Sequence, residues 1–227
     1  TLPVDIEVDT GMGRIGFSAN EIEAWLPELA KLKAVKLQGV FSHFADAESP
    51  NERYTQKQLQ SFRQVLDRLA EAKILHRTSH IAKSAALITE PTAYFSMVRP
   101  GLILYGMYPA LALKKHIELK PVLSWQTRII QLKRVAAGTS IGYGRTFVAQ
   151  RNSLIATLPV GYADGYRRLF SNRAQVLVRG KRAPVAGRVS MDLTTIDVTD
   201  IKNVQQGDEV VLLGRQRSGV IGADELA

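Results

Sequence analysis

The texture of this chain changes once, near its middle, and that change limits the folds open to it. From Thr1 to about Pro109, short apolar runs alternate with amphipathic helical patterns. Leu2 to Val8 reads as a buried strand, and Asn20 to Leu32 as a helix with Ile22, Trp25, Leu26 and Leu29 on one side. Val35 to Phe41 reads as a second strand. Glu52 to Ala72 reads as a longer helix, with Leu59, Phe62, Val65, Leu66 and Leu69 at helical spacing. Ser79 to Ala82 and Met97 to Ile103 predict two more short strands. Strands alternating with helices imply a parallel sheet or an α/β barrel. From about Leu119 the pattern is different. Val122 to Val135 reads as one long strand. Leu154 to Val160, Ala174 to Val178, Pro184 to Val189, Thr194 to Val198 and Glu209 to Leu213 are short β-prone runs punctuated by Gly, Asp or Asn. The expected fold is therefore an α/β part over residues 1–115 followed by a β-rich domain over residues 116–227.

Composition removes several function classes. The chain has no cysteine, which excludes disulfide staples, thiolate catalysis and zinc–thiolate sites, and no metal site is expected. A reducing cytoplasm fits. No apolar run is long enough to span a bilayer, so no membrane association is expected. The net charge of +9 would suit nucleic acid, an anionic membrane or an anionic small molecule. The basic residues are scattered, however, and nowhere interleave with aromatic side chains as a single-strand platform requires. Nucleic acid is not an expected partner.

Four groups of residues are candidates for chemistry. Asp9-Thr-Gly-Met-Gly-Arg-Ile-Gly16 contains G-x-G-x-x-G between a strand and a helix. A dinucleotide fingerprint also needs an acidic residue ending the next strand, and Lys31 to Val40 offers none. The glycines more simply allow a strand-end loop to approach a ligand, with Arg14 supplying a planar fork for a carboxylate or phosphate. His43 follows the second strand. Singly it reads as a satisfied core or loop histidine, but catalytic groups of α/β barrels lie at such strand ends. Ser84 in His80-Ile-Ala-Lys-Ser opens a possible helix, either as an ordinary cap or as part of a phosphate site. Arg99-Pro-Gly101 reads as a turn. In the β-rich part, Tyr143 and Tyr162 stand beside glycines, which singly marks turns.

The strings VDTGMGRIGF, GVFSHFADAE, HIAKSAA, MVRPGLILYG, SIGYGRTF, LPVGYADGYRR and VAGRVSMD, in that order, resemble the alanine racemases, fold-type III pyridoxal-phosphate enzymes. They run from Val8 to Asp192, and DEVVLLG near the C-terminus also fits. The resemblance implies a TIM-type barrel, here in part, followed by a β-rich domain, in a homodimer with shared active sites. It implies pyridoxal 5′-phosphate as cofactor and a small amino acid as substrate. Arg14 would face the cofactor's phenolic oxygen and the substrate carboxylate. His43 would lie beside the cofactor ring and support the catalytic tyrosine. Ser84, with backbone N–H groups near Gly101 and Leu102, would hold the phosphate, and Arg99 would face the pyridine nitrogen. Tyr143 would be a base supplied to the partner's site, Met191 would offer its N–H to the substrate carboxylate across the dimer, and Tyr162 would narrow the mouth of the site.

Racemisation needs a base on each face of the reacting carbon. In this family a lysine serves one face and a tyrosine the other. A free tyrosine, with a pKa of about 10, is a poor base near neutrality, and cationic or hydrogen-bonded neighbours bring it closer to use. The family's Schiff-base lysine lies in a string such as V-K-A-D-A-Y-G-H-G, and nothing here resembles it. A barrel needs roughly eight strands, more than this chain offers. These 227 residues alone are thus not expected to racemise. Glu7 stands where the family often has a lysine beside the arginine, and Lys83 where asparagine is common. A serine or broad-specificity racemase, or a non-catalytic cofactor-binding or dimerisation module, are the alternative readings.

Overall fold

A computed structural model describes all 227 residues and divides the chain into two compact units, Thr1–Lys120 and Pro121–Ala227. In the first unit the strands are β1 (Leu2–Asp9), β2 (Phe17–Ser18), β3 (Val35–Phe41) and β4 (Thr78–His80), and the helices are α1 (Ile22–Lys31), α2 (Arg53–Glu71) and α3 (Ser84–Thr89). The strands form one sheet in the order β2-β1-β3-β4, and every pairing is parallel. The sheet is open, so no barrel is closed among these residues.

Register decides which side chains share a face. Ile6 pairs with Val40, and both are buried in a core with Leu26, Leu59, Phe62 and Leu69. The 3.6-residue period of α2 supplies its share of that core, burying Leu59, Phe62, Val65 and Leu69 against the sheet. Phe62→Ala is expected to cost about 3–5 kcal/mol, read as a shift of the denaturant midpoint. On the opposite face Glu7 pairs with Phe41, and Phe41 with His80, so these three side chains form a row across the sheet near its carboxyl end.

The expected strand over Met97 to Ile103 does not form. Arg99 makes a single bridge to Lys83, and Leu102–Tyr105 is a 3-10 turn. Pro100 has no N–H to give a ladder, which confines pairing to that one bridge.

The second unit is antiparallel. Its strands are β5 (Trp125–Arg128), β6 (Gln131–Val135), β7 (Ser140–Ile141), β8 (Phe147–Val148), β9 (Ser153–Leu158), β10 (Gln175–Val178), β11 (Lys181–Pro184), β12 (Thr194–Asp197), β13 (Glu209–Gln216) and β14 (Gly219–Ile221), before a short helix α4 (Ala223–Leu226). One sheet runs β11-β10-β13-β14, with β5 also on β13. A second runs β12-β9-β6, and β7 pairs β8. The long strand expected over Val122 to Val135 is two strands in different sheets. Ile129 N–H donates to Asp208 and Ile130 N–H to Thr157, so the chain changes sheets between consecutive residues. Pro184 to Val189 is likewise not a strand. β11 ends at Pro184, and Val185 keeps one isolated bridge to Ile196. The main core cluster here surrounds Ile129, Leu158, Tyr166, Val178, Ile196 and Leu212, with two smaller ones around Ile155 and Val211. No helix is long and apolar enough to cross a membrane.

Candidate active site

Arg99 lies across the row of Glu7, Phe41 and His80. Its guanidinium carbon sits 5.4 Å from the Phe41 ring centre, and Phe41 stacks on His80 at 5.2 Å with an 11° tilt between planes. Nη1 donates to His80 Nδ1 and to the His80 carbonyl at 3.3 Å. Nη2 donates to the Ser42 carbonyl at 2.6 Å and to His43 Nδ1 at 3.2 Å. A guanidinium has no acceptor, so both imidazoles receive at Nδ1 and carry their proton on Nε2, an assignment made from the network. Burial, then Arg99, then Arg14 and Lys83, hold His43 below its ordinary pKa, and only Glu48 pulls the other way. His80 is lowered by burial and by Arg99. Arg99 itself is lowered by burial, which Glu7 opposes. Three cations, Arg99, Arg14 and Lys83, and one carboxylate, Glu48, therefore act on His43 at the carboxyl end of the sheet.

The glycine-rich segment after β1 is shaped by Asp9. Its carboxylate accepts N–H bonds from Gly11 at 2.8 Å, Met12 at 2.8 Å and Gly13 at 3.0 Å. Burial raises the Asp9 pKa, yet the three N–H donors carry it below its ordinary value. Gly16 has φ +110°, and a Cβ there would lie 2.7 Å from the Glu7 carbonyl oxygen. The glycine spacing thus serves a turn folded tightly on its own strand. That turn brings Arg14 Nη2 to 3.6 Å from Glu7 Oε1.

Ser84 is the first residue of α3 and is buried, but it caps nothing, because Lys83 holds the cap position without a side-chain bond. Its Oγ instead accepts the Gly101 N–H at 2.8 Å, joining the two strings that sequence resemblance paired. The Gly101 N–H is thereby engaged, which leaves the Ser84 hydroxyl proton free to be donated. Lys83 pairs with Glu48 at 2.8 Å. Within this unit Arg99 thus meets His43, Ser84 joins Gly101 two residues beyond Arg99, Arg14 pairs with Glu7, and half-exposed Leu102 follows Gly101 in the chain. The donor set suits an anionic group, with fixed positive charge, a hydroxyl and a neutral imidazole presented together.

In the second unit Tyr143 is 70% exposed at the tip between β7 and β8. Gly142, Gly144 and Arg145 have φ of 72°, 70° and 52°, a costly backbone for Arg145. Asn172 secures the tip by donating to Thr146 Oγ1 at 3.1 Å and accepting from the Gly187 N–H at 2.6 Å. Met191 and Tyr162 are also exposed and adjacent in the fold. The Tyr162 N–H donates to Ser190 and the Ala163 N–H to Met191, each at 3.0 Å. His80, Asp9 and Phe41 take parts in this site that the sequence alone does not assign them. An aspartate heading a glycine-rich turn is a local signal for the part of Asp9. The parts of His80 and Phe41 exist only through cross-strand register.

The fold and site define an α/β unit with a cation-rich polar centre at the carboxyl end of a parallel sheet, followed in the chain by an antiparallel β domain. Comparison with known proteins narrows that class. The family model "Alanine racemase, N-terminal domain" matches residues 1–109, and "Alanine racemase, C-terminal domain" matches residues 122–227. The chain belongs to the alanine racemase family. It is 50% identical over 224 residues to the alanine racemase of Halothermothrix orenii, covering 99% of this chain and 59% of that protein. The crystal structure of alanine racemase from Bacillus anthracis with bound L-Ala-P superposes with a TM-score of 0.92 at 36% identity, covering 100% of this chain and 59% of that one. Alanine racemase from Bartonella henselae with covalently bound pyridoxal phosphate gives a TM-score of 0.82 at 33% identity, covering 93% of this chain and 57% of that one. The chain spans about three-fifths of the length of these relatives.

Proposed function

We propose that the protein carrying this chain is a pyridoxal 5′-phosphate-dependent alanine racemase, a cytoplasmic homodimer that interconverts L- and D-alanine and so supplies D-alanine for peptidoglycan. The observation that carries the reading is the convergence of Arg14, His43 and Arg99 beside Ser84 at the carboxyl ends of three parallel strands.

The residues present fit this cofactor. Ser84 has a hydroxyl proton free to donate, and with the Leu102 N–H it would hold the phosphate, Gly101 bracing the hydroxyl through its own N–H. Arg99 would face the pyridine nitrogen, and a guanidinium does not surrender its proton in a protein. When bound, pyridoxal phosphate supplies the electron sink that makes an amino acid's α-proton removable. Arg14, anchored by Glu7, orients the substrate carboxylate. His43, its Nδ1 taken by Arg99 and its proton on Nε2, supports the tyrosine. Tyr143, from the neighbouring subunit, moves a proton at the substrate Cα on one face, as its exposed position suits. Met191 offers its backbone N–H to the substrate carboxylate across the dimer, and Tyr162 narrows the mouth of the site. The second base that the resemblance implies, a lysine, has no counterpart among these 227 residues, so the proposal concerns the whole protein.

The test is direct. The full-length protein, loaded with pyridoxal phosphate, should convert L-alanine to D-alanine and the reverse, with L-serine a poorer substrate. Loaded protein that converts neither enantiomer would overturn the reading, and equal rates on serine would favour a broad-specificity racemase. Glu7→Gln should raise KM for alanine by no more than about fivefold, because Arg14 is half exposed and solvent screens its pairing. Initial-rate measurements over a range of alanine concentrations check this.

A further inference from the structure

Gln58 lies on the apolar stripe of α2, in line with Thr55, Leu59 and Phe62, and is completely buried. A leucine there would cost nothing in desolvation, whereas a buried amide costs stability unless its hydrogen bonds are made. Here they are made to one segment above all. Nε2 donates to the His43 carbonyl at 3.0 Å, and Oε1 accepts the Ala45 N–H at 2.9 Å. A backbone carbonyl only accepts and an N–H only donates, so these two partners fix which way the amide faces. The remaining Nε2 proton reaches Thr10 Oγ1 at 3.3 Å, and Thr10 Oγ1 lies 2.7 Å from Ser42 Oγ, both hydroxyls being buried.

The pattern has a reason in the sheet. β3 ends at Phe41, so the polar backbone of residues 42–45 runs past the ladder, with Ser42 and Phe44 buried and His43 and Ala45 on the more open side. The Ser42 N–H still reaches the His80 carbonyl at 3.1 Å. Beyond it, the carboxamide of Gln58 offers one donor and one acceptor, at the spacing of a peptide group, to residues 43 and 45 on either side of the fully buried Phe44. Through Thr10 the same amide also reaches the segment that bears Asp9 and Arg14. Arg99 meets this backbone at the Ser42 carbonyl and His43 Nδ1.

We propose that Gln58 is a positioning residue of this site: its carboxamide stands in for the peptide of a neighbouring strand and holds the His43 segment where the imidazole meets Arg99. The catalytic consequence rests on the racemase reading given above, but the structural consequence does not. Charged groups facing His43 are Arg99, Arg14, Lys83 and Glu48.

The experiment uses the full-length protein with histidine-selective isotope labelling, in wild type, Gln58→Met and Gln58→Glu, each checked for a cooperative melt. In Gln58→Met the His43 titration should move up toward the ordinary imidazole value as the ring leaves Arg99, while His80, held by Arg99 and by its own strand, moves less. In the racemase assay kcat should fall by about ten- to a hundredfold, with KM changing far less, as expected for misplacement of a site group by about an ångström. The buried carboxyl introduced by Gln58→Glu can donate to the His43 carbonyl only when protonated. The activity of this variant relative to wild type should therefore be highest at acid pH and fall as pH rises. A His43 titration unchanged in a folded Gln58→Met protein would overturn the proposal. If Gln58→Met does not fold, a flat pH profile of the Gln58→Glu ratio would overturn it. If wild type does not racemise alanine, the functional reading falls, and the His43 titration still decides the part played by Gln58.

Discussion

Tyr143→Phe in the full-length, cofactor-loaded protein is expected to lower racemisation by about 10²- to 10⁴-fold, the range associated with loss of a positioned proton-transfer group. The substitution removes one oxygen from a side chain that is 70% exposed, so it leaves no cavity and no unpaired buried group. Its effect on stability should be within about 0.5 kcal/mol, and cofactor binding should persist because Ser84, Arg14 and Arg99 are untouched. The loss should fall on kcat in at least one direction of the reaction. The tip that presents Tyr143 is backbone held at positive φ and tied down by Asn172, which fixes where the phenol emerges. Wild-type rates in both directions would remove Tyr143 from the mechanism.

Arg99→Ala should be the most damaging substitution for structure and function together. Arg99 serves the His80 ring and carbonyl, the Ser42 carbonyl and the His43 ring at once. Hydrogen bonds from a charged donor contribute about 1.5–3 kcal/mol each, and they are not additive, so a loss of about 2–4 kcal/mol is expected at neutral pH. The pH dependence has a definite sign. In the wild type the folded-state pKa values of His43 and His80 lie below the ordinary imidazole value, so the unfolded chain binds more protons in the window between them. Wild-type stability therefore falls as pH drops from the ordinary imidazole value through the folded ones. Removing Arg99 takes away a cation that acts on both rings, and the acid-side fall should shrink. The stability gap between wild type and Arg99→Ala should narrow from pH 7 toward pH 5, measured by denaturant melts across that range. A gap that widens on acidification would show that Arg99 does not depress these two histidines.

Local pattern carried much of the fold. Val35 to Phe41 was legible as a strand because β-prone residues are bounded by a charged helix end and a polar turn, and α2 because its apolar stripe repeats at helical spacing. Three readings failed where tertiary pairing overrides local character. Val122 to Val135 carries apolar and β-prone residues in both its halves, mixed with polar ones, and nothing local reveals that the halves belong to different sheets. Pro184 to Val189 and Met97 to Ile103 are β-prone in composition, yet the chain around Gly187 turns at φ +92° and the proline after Arg99 limits pairing. The site was legible through motif order, which led to the alanine racemase family. Its internal supports were not, because the row of Glu7, Phe41 and His80 exists only through strand register. Gln58 left one trace in the sequence, as a polar residue on an otherwise apolar helical face.

A crystal structure of the full-length protein grown with pyridoxal phosphate tests most directly whether Arg14, His43, Ser84 and Arg99 surround one cofactor. The predicted result is density for the phosphate within hydrogen-bond reach of Ser84 and for the ring between Arg99 and Arg14, with His43 alongside. Density bound elsewhere, with those four side chains touching no common group, would contradict it.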